Sequence, residues 1–216
     1  MASSKPVQPI KLYRAELSGH SHRVQLFLEL LGLPYELVNV DMAHGAHKQP
    51  DFLAKNPLGQ VPVIEDGDIC LYDSNAILVY LAKKYDDGHW LPADPVSAAH
   101  IQQWLSLAAG QIAYGPAAAR MANIFGVPFN HDNAKAMANN LLSVLDAHLA
   151  RRNFALGDTP TIADIAGYSY ISKAPEGGIS LEPYPAVMAW LQRLEGLRGF
   201  VPFKESKVGL LAESAA

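Results

Sequence analysis

The periodicity of the apolar residues changes near residue 90, and this change limits what the chain can fold into more than any other feature. Before residue 90, short strand-like runs alternate with helix-like runs, whereas after it we find helical patterns but no strand. Segment 86–95 between them is rich in Asp, Pro and Gly, which is typical of a linker. The sequence therefore predicts an α/β domain over residues 9–87 and an all-helical domain over residues 96–205.

The first half has the order of a mixed α/β sheet. A strand, a helix and a second strand in succession favour a parallel pair, and two apolar runs around Asp66-Gly67 indicate an antiparallel hairpin. The strands are predicted at residues 10–15, 36–40, 61–65 and 68–72, and the helices at residues 23–33 and 74–85.

The second half is predicted to be helical throughout. Gly115-Pro116 is expected to kink or break its first long helix, because proline lacks the backbone N–H that a helix needs. Thr161-Ile-Ala-Asp164 has the spacing of a capping box at a helix start. The helices are predicted at residues 98–123, 131–151 and 185–194, with another that begins at Thr161.

Composition narrows the classes of function. The 216 residues are 50% hydrophobic and 18% charged, so the chain can build a sizeable core, and the net charge of −4 argues against a nucleic-acid partner. The single cysteine, Cys70, excludes an intrachain disulfide and a cysteine-based zinc site, and it is expected to be an inert core thiol. Neither a secretory signal nor a membrane-spanning run is visible, and we expect a cytoplasmic protein with no membrane partner.

Two strand-to-helix junctions carry polar residues that suit an anion or a thiol. In residues 17–24 (LSGHSHRV), the free N–H groups of a helix start attract anions and lower the pKa of a nearby thiol. A plain helix cap by Ser18 or Ser21 explains the same residues. In residues 71–77 (LYDSNAI), Asp73 or Ser74 is a natural cap, while Ser74 also suits a ligand carboxylate and Asp73 a ligand amine.

A proline at the start of a predicted strand is the third candidate. If the Val61-Pro62 bond is cis, Val61 turns its N–H and C=O outward, where they can pair with an extended peptide. An ordinary proline at a strand start is the alternative.

These segments resemble the glutathione transferases over residues 10–203. The matching motifs are NPLGQVP at residues 56–62, DSNAI at 73–77 and TIADI at 161–165, together with LSGHSHRV at 17–24 and HK at 47–48. The serine in the first loop is more similar to the theta-like and bacterial members than to the tyrosine classes. The resemblance implies the glutathione transferase fold, in which an α/β thioredoxin-like N-terminal domain precedes an all-α C-terminal helical domain.

The resemblance also implies that glutathione is the co-substrate and that no metal takes part. Each portion of the tripeptide then has its contacts: Ser18 for the sulfur, with His20 and Ser21 as alternatives; Val61 before a cis Pro62 for the cysteinyl backbone; Asp73 and Ser74 for the γ-glutamyl end; and His47, with Lys48 and Gln60, for the glycyl carboxylate. Tyr13 is a rival for the sulfur, because other classes use a tyrosine near the end of the first strand. His44 and His47 could form a metal pair, but two residues do not make a site.

A second substrate is expected at an apolar cleft with one cation, which suits an aromatic or anionic electrophile. Its predicted walls are Tyr114, Ala117, Arg120, Met121 and Phe203, and ordinary packing is the alternative role for all five.

The leading hypothesis is therefore a glutathione S-transferase, a detoxification enzyme that activates glutathione as the thiolate for attack on a small hydrophobic electrophile. The resemblance implies a homodimer. Two alternatives remain open: a glutathione-dependent disulfide reductase or peroxidase of the same fold, and a non-catalytic binding module.

Overall fold

A computed structural model describes residues 5–206 of the chain. The prediction that the N-terminus carries no secretory signal concerns residues that lie partly outside this range. The described residues form two compact units. The first holds residues 5–93 together with Leu197–Lys204, and the second holds Asp94–Gly196 and residues 205–206. The predicted division assigns residues 197–204 to the helical domain and so does not anticipate their return to the first unit.

The first unit contains a four-stranded sheet in the spatial order β2-β1-β3-β4. Strand β1 is parallel to β2 and antiparallel to β3, which in turn is antiparallel to β4. The predicted element order and the mixed sheet are confirmed. The strands are β1 (Ile10–Arg14), β2 (Tyr35–Asn39), β3 (Val63–Asp66) and β4 (Ile69–Tyr72), and the helices are α1 (Gly19–Leu30), α2 (Pro50–Leu53) and α3 (Ser74–Tyr85).

Helix α1 begins four residues earlier than its apolar pattern predicts. Ser18 is its N-cap, since the Ser18 side chain accepts a hydrogen bond from Ser21 N at 3.2 Å. Residues 20–23 are polar, so the first turn lacks the apolar periodicity on which the prediction rests, although three of those four residues are buried.

The β3–β4 hairpin turns one residue later than predicted. Asp66 is the last residue of β3 and pairs with Ile69, so the two loop residues are Gly67 and Asp68. Gly67 has a φ of +60°, a left-handed conformation in which glycine avoids the steric penalty of a side chain.

The prediction that Cys70 is a core thiol is wrong, because Cys70 is exposed. It lies on β4, which is an edge strand of the sheet and has mostly exposed residues. Although the residue is exposed, partial desolvation of the sulfur, followed by the nearby charge of Glu65, raises the pKa of the Cys70 thiol.

A buried carboxylate stabilises the end of the sheet away from the β1–α1 loop. Asp66 Oδ2 accepts hydrogen bonds from Tyr80 OH at 2.7 Å, Lys84 Nζ at 2.8 Å and Tyr85 OH at 2.6 Å. Burial alone would raise the pKa of Asp66. The hydrogen bonds from Lys84, Tyr80 and Tyr85 together lower it by more than burial raises it, so the pKa lies below its ordinary value. The charged carboxylate therefore joins the hairpin to the last two turns of α3.

The second unit consists of helices, with no strand in its described residues. They are α4 (Pro95–Ala109), α5 (Ala118–Phe125), α6 (His131–Leu149), α7 (Ile162–Ser172) and α8 (Pro185–Glu195), with a π-helical turn at Ala113–Ala117 and a 3₁₀ turn at Ala174–Gly177. None of the helices in residues 5–206 combines the length and the apolar character that a membrane crossing requires.

The predicted break and the predicted capping box are both confirmed. Helix α4 ends before the π-helical turn that contains Gly115 and Pro116. A Cβ on Gly115 would lie 3.1 Å from Ala138 N, so a side chain there would require α6 to shift by a few tenths of an ångström. At the start of α7, Thr161 and Asp164 cap each other's backbone N–H groups. Asp164 also accepts hydrogen bonds from Ala155 N and Trp190 Nε1. This one buried carboxylate therefore joins the start of α7 to the preceding loop and to α8.

Asp66→Asn tests the role of the buried carboxylate. We expect it to reduce the free energy of unfolding at pH 7 by about 2–4 kcal/mol, because three donors lose a charged acceptor. Since the folded-state pKa of Asp66 is lowered, this contribution is present above the ordinary aspartate pKa of about 3.9 and is lost as the pH falls through the folded-state pKa. Urea unfolding of the protein and the variant, at neutral and at acid pH, measures the difference.

The control is Asp68→Asn, which removes an exposed aspartate two residues away. Equal losses of stability in Asp66→Asn and Asp68→Asn, or a loss in Asp66→Asn that grows towards acid pH, would contradict the assignment.

Candidate active site

Ser18 lies where β1 passes into α1, and its hydroxyl keeps a proton that it can donate. Its Oγ accepts from Ser21 N at 3.2 Å, and its carbonyl oxygen accepts from His22 N at 2.9 Å. A hydroxyl that accepts one bond can still donate its own hydrogen to a second partner. Ser18 is half-buried at the N-terminus of α1, which is the positive end of the helix dipole. Capping the helix and donating to a ligand anion are therefore compatible.

Ser21 was predicted as an alternative contact for the sulfur, but its side chain is directed into the protein. It is only 1% exposed, and its Oγ accepts a bond from Ala15 N at 3.4 Å. Ser21 thus connects the end of β1 to the first turn of α1. The Ser21 hydroxyl is thus engaged in holding β1 to α1, which favours Ser18 over Ser21 for the predicted sulfur contact.

Tyr13, the other residue predicted as a possible contact for the sulfur, uses its hydroxyl in a bond within the sheet. Its OH donates to Glu65 Oε2 at 2.9 Å, and burial, followed by this hydrogen bond, raises the pKa of Tyr13. Lys55 forms an ion pair with Glu65 and lies 5.0 Å from the centre of the Tyr13 ring. The hydroxyl is engaged in a structural network on β1 and β3, which argues against a role at a ligand thiol.

The start of α3 is bound to α1 by a buried arginine that the sequence reading missed. Arg23 is fully buried, and its Nη1 donates to Ser74 Oγ at 2.7 Å and to Asn75 Oδ1 at 3.0 Å. Arg23 lies in α1, and Ser74 is the first residue of α3, so the guanidinium holds the N-termini of the two helices together. An arginine in an otherwise apolar helix pattern is normally solvent-exposed, and nothing in its spacing distinguishes this one.

Asp73 precedes this pair in an uncommon backbone conformation. Its φ is +69°, the only positive value at a residue other than glycine in the described part of the chain. Its Oδ1 accepts from Ala76 N at 2.9 Å and so caps α3, and the exposed side chain remains within reach of a ligand. Residues in strained conformations cluster at binding sites, where the surrounding structure holds them.

His20 belongs to the same cluster. Its Nδ1 lies 3.3 Å from Ser74 Oγ and accepts from Arg23 Nη1 at 3.3 Å. Burial, followed by the charge of Arg23, lowers the pKa of His20 to about 3, so the imidazole is neutral at physiological pH. The structure thus groups His20 with Ser74, although it was predicted as an alternative contact for the sulfur.

The Val61-Pro62 peptide bond is cis, as the resemblance implies. Strand β3 starts at Val63, and within residues 5–206 nothing pairs with the backbone N–H or C=O of Val61. The preceding loop is organised by buried Asn56, whose Nδ2 donates to Gln60 O at 2.7 Å and whose Oδ1 accepts from Leu58 N at 3.0 Å. The Gln60 side chain is exposed.

His47 and Lys48 lie in a 3₁₀ turn, Ala46–Lys48, that packs on this loop. Lys48 Nζ donates to the carbonyl oxygens of Leu58 and Gly59 at 3.2 and 3.3 Å. A Cβ on Gly59 would lie 2.7 Å from His47 O, so only glycine permits this approach. His47 Nδ1 is buried without a hydrogen-bond partner within the described residues. The turn and the loop thus bring His47, Lys48 and Gln60 into one region.

In the helical unit, Arg120, one of the predicted substrate contacts, is buried in the core and paired there. Arg120 is 0% exposed, and its Nε donates to Glu176 Oε2 at 2.7 Å, so its charge is balanced inside the unit. This burial argues against Arg120 as a cation for an anionic substrate. Tyr114 is 62% exposed and Met121 is half-buried, whereas Ala117 is buried.

Phe203, predicted as a further wall, is also buried. It belongs to the α/β unit, where its ring stacks on that of His22 with centroids 4.8 Å apart. This packing argues against a substrate contact.

The histidine pair does not gain a third ligand. His44 is exposed and bonds to Asp41 Oδ2 at 2.7 Å, and no group of three His, Cys, Asp or Glu side chains among residues 5–206 is placed to hold one metal ion.

A thioredoxin-like unit with these helix starts and a cis proline, joined to an all-helical unit, defines the class of the glutathione transferases. Residues 8–83 match the model of the glutathione S-transferase N-terminal domain, and residues 130–197 match that of the C-terminal domain. The chain belongs to the glutathione S-transferase family.

Its relatives come from plants, animals and bacteria. It is 36% identical to glutathione S-transferase 3 of Zea mays over 208 residues, which cover 89% of this chain and 91% of that protein. It is 32% identical to human glutathione S-transferase theta-2B over 200 residues, or 88% and 82% of the two chains. A crystal structure of a glutathione S-transferase from Pseudomonas fluorescens Pf-5 superposes with a TM-score of 0.86 at 35% identity, covering 92% of this chain and all of that one.

Proposed function

We propose that this chain binds glutathione at the start of α1, at the start of α3 and beside Val61, and holds its sulfur as a thiolate for attack on a small hydrophobic electrophile. The observation that carries the proposal is the 2.7 Å bond between Arg23 Nη1 and Ser74 Oγ. It holds together two helix N-termini, one bearing Ser18 and the other Ser74, so that two anion-attracting positions lie in one unit.

The γ-glutamyl end is assigned to the start of α3. Ser74 Oγ accepts from a guanidinium, and its own hydrogen can turn from His20 Nδ1, 3.3 Å away, to a ligand carboxylate. The charge of Arg23 adds to the attraction. The exposed carboxylate of Asp73 suits the α-amine. Asp73 is one methylene shorter than glutamate, and a bridging water can make up the difference.

The cysteinyl part is assigned to the backbone of Val61. Its N–H and C=O can pair with the backbone of an extended peptide, as at the edge of a sheet. The glycyl carboxylate then meets His47, Lys48 and Gln60. Lys48 uses two of its three N–H donors on carbonyl oxygens, and the third remains for this carboxylate.

Ser18 is assigned to the sulfur. A free thiol has a pKa of about 8.5, and half ionisation at pH 7 requires about 2 kcal/mol of stabilisation of the thiolate. A hydrogen bond to a charged group supplies roughly 1.5–3 kcal/mol, and a helix N-terminus about 0.3–1 kcal/mol. One hydroxyl at the start of α1 is therefore sufficient. Ser18 donates its hydrogen to the sulfur and forms no covalent bond, while the thiolate attacks the electrophile and displaces its leaving group.

The second substrate is proposed to contact Tyr114 and Met121 in the helical unit. Tyr114 supplies an exposed aromatic ring, which suits an apolar or aromatic electrophile. The buried ion pair of Arg120 with Glu176 weakens the case for an anionic substrate.

Conjugation is favoured over the two alternatives. Cys70, the one cysteine, is exposed on β4 and does not lie in the β1–α1 loop, so disulfide exchange through a protein thiol at that loop has no support. Ser18, Asp73 and Ser74 occur together with a Val61 backbone that has no hydrogen-bond partner among residues 5–206, a combination that a non-catalytic module does not need. We also propose a cytoplasmic homodimer with a role in detoxification, which the family membership and the low cysteine content support.

Ser18→Ala tests the role of the hydroxyl. We expect the pKa of bound glutathione to rise towards the free value of about 8.5, because the thiolate loses its hydrogen bond, while the Kd for glutathione changes by less than about threefold. Thiolate absorbance during a pH titration of the complex measures the pKa. Ser21→Ala is the matched control, since that hydroxyl is buried. An unaltered titration curve in Ser18→Ala would remove Ser18 from the mechanism.

Ser74→Ala tests the carboxylate contact. Loss of one hydrogen bond to a charged group should raise the Kd for glutathione by about 10- to 100-fold, with a smaller effect on the single-turnover rate at saturation. Calorimetry and stopped-flow conjugation of 1-chloro-2,4-dinitrobenzene give the two numbers. Asn75→Ala, which removes the neighbouring acceptor of Arg23, is the comparison. A normal Kd with a slow chemical step would place Ser74 at the sulfur instead.

Sedimentation equilibrium tests the homodimer. We expect twice the mass of one chain at micromolar concentration, because the family assembles in this way. A single-chain mass across the whole concentration range would contradict it.

A further inference from the structure

The segment Leu197–Lys204 is part of the α/β unit, although it follows the last helix of the helical unit along the chain. It lies beside α1 from one end to the other. A Cβ on Gly199 would approach Glu29 O in the last turn of α1 to 3.0 Å, while Val201 and Phe203 contact His22 in the first turns.

His22 links this segment to Ser18. Its side chain is buried, its Nε2–H donates to Val201 O at 2.8 Å, and its ring is stacked on Phe203 with an interplanar angle of 13°. Its backbone N–H donates to Ser18 O at 2.9 Å. A displacement of His22 is therefore transmitted to Ser18 through a single hydrogen bond.

The same segment holds the other side of the loop. Lys204 forms an ion pair with Glu16, which lies two residues before Ser18. The loop that presents the hydroxyl is thus fixed at Glu16 and at His22 by residues about 180 positions later in the sequence. Local capping fixes the helix start, and Arg23 ties it to α3. The contacts at Glu16 and His22 add attachments to the C-terminal segment on both sides of Ser18.

We propose that Val201–Lys204 acts as a C-terminal clamp that sets the position of the Ser18 hydroxyl, with His22 and Phe203 as positioning residues. The inference rests on the proposed role of Ser18 and deepens it. It gives Phe203 a role in ionising the thiol in place of the substrate contact expected from the sequence. A hydrogen bond to a thiolate is directional, so an error of about 1 Å in the donor is sufficient to reduce the rate by up to 10²-fold.

Two variants in the full-length chain release the clamp. Phe203→Leu keeps an apolar side chain but removes the ring stack, and His22→Gln keeps an amide donor for Val201 O but also removes the stack. We expect the ionised fraction of bound glutathione at pH 7 to fall by roughly three- to tenfold in both, and kcat with 1-chloro-2,4-dinitrobenzene to fall with it. The Kd for glutathione should stay within about twofold, because Val61 and Ser74 are untouched. If Phe203→Leu does not fold, His22→Gln carries the test.

Trp90→Leu is the matched control for simple loss of stability. Trp90 is a buried aromatic residue of the same unit, packed edge-on against Phe27 at 5.4 Å, and has no contact with the clamp or with Ser18 among the described ring contacts. At an equal loss in Tm, Trp90→Leu should leave the ionised fraction at the wild-type value. An equal fall in Trp90→Leu would show that the clamp variants act through stability alone and would overturn the proposal.

The Ser18→Ala titration distinguishes failure of the clamp from failure of the proposed role of Ser18. If Ser18→Ala reduces the ionised fraction while Phe203→Leu and His22→Gln do not, the clamp is wrong and the role of Ser18 stands. If Ser18→Ala titrates like the wild type, the proposed role of Ser18 fails and the clamp fails with it.

Discussion

The buried guanidinium of Arg23 is the constraint on which the arrangement of the site depends. Removing a charge from water is costly unless polar groups replace the lost hydration, and here Ser74 Oγ, Asn75 Oδ1 and His20 Nδ1 do so. These three acceptors are neutral, since the pKa of His20 is lowered to about 3. The positive charge is therefore close to the N-termini of α1 and α3, which are themselves electropositive. The carboxylate ligand proposed for the start of α3 would supply negative charge where the fold has collected positive charge.

The elements that follow an apolar period could be predicted from the sequence, and those that depend on buried polar groups could not. The strands of the sheet, α3, α6 and the capping box at Thr161 all follow local rules of spacing and capping, and the structure agrees with them to within a few residues. The start of α1 does not, because a helix turn of His, Ser, His and Arg gives no apolar signal. Three of these four side chains are buried, and their partners are Ala15, Ser74 and Val201, the last two from distant parts of the chain.

The same difference applies to the site. The resemblance correctly located the cis bond at Val61-Pro62, and the capping preferences of Asp and Ser correctly indicated a helix start at Asp73 or Ser74. Both features belong to short continuous motifs. It could not separate Ser18 from Ser21, because the two differ in burial and not in chemistry. Arg120 and Phe203 were left open between substrate contact and ordinary packing for a related reason. A charged or aromatic residue is equally consistent with an internal partner, and the structure supplies Glu176 and His22 as such partners. Contacts between residues far apart in the sequence decide these cases.

The energetics of thiolate formation explain why such long-range contacts matter at one serine. In the proposed mechanism Ser18 supplies about 2 kcal/mol of stabilisation, which is close to the full value of one well-placed hydrogen bond to a charged group. No second hydrogen bond in this mechanism supplements that of the single hydroxyl. If the hydroxyl moves so that half of the hydrogen-bond energy is lost, the ionised fraction of the thiol falls several-fold at neutral pH. A loop held only by its own helix cap has low-energy ways to move. The Lys204–Glu16 ion pair and the His22–Phe203 stack restrict the loop on both sides of Ser18, so the geometry of one weak interaction is maintained by several others.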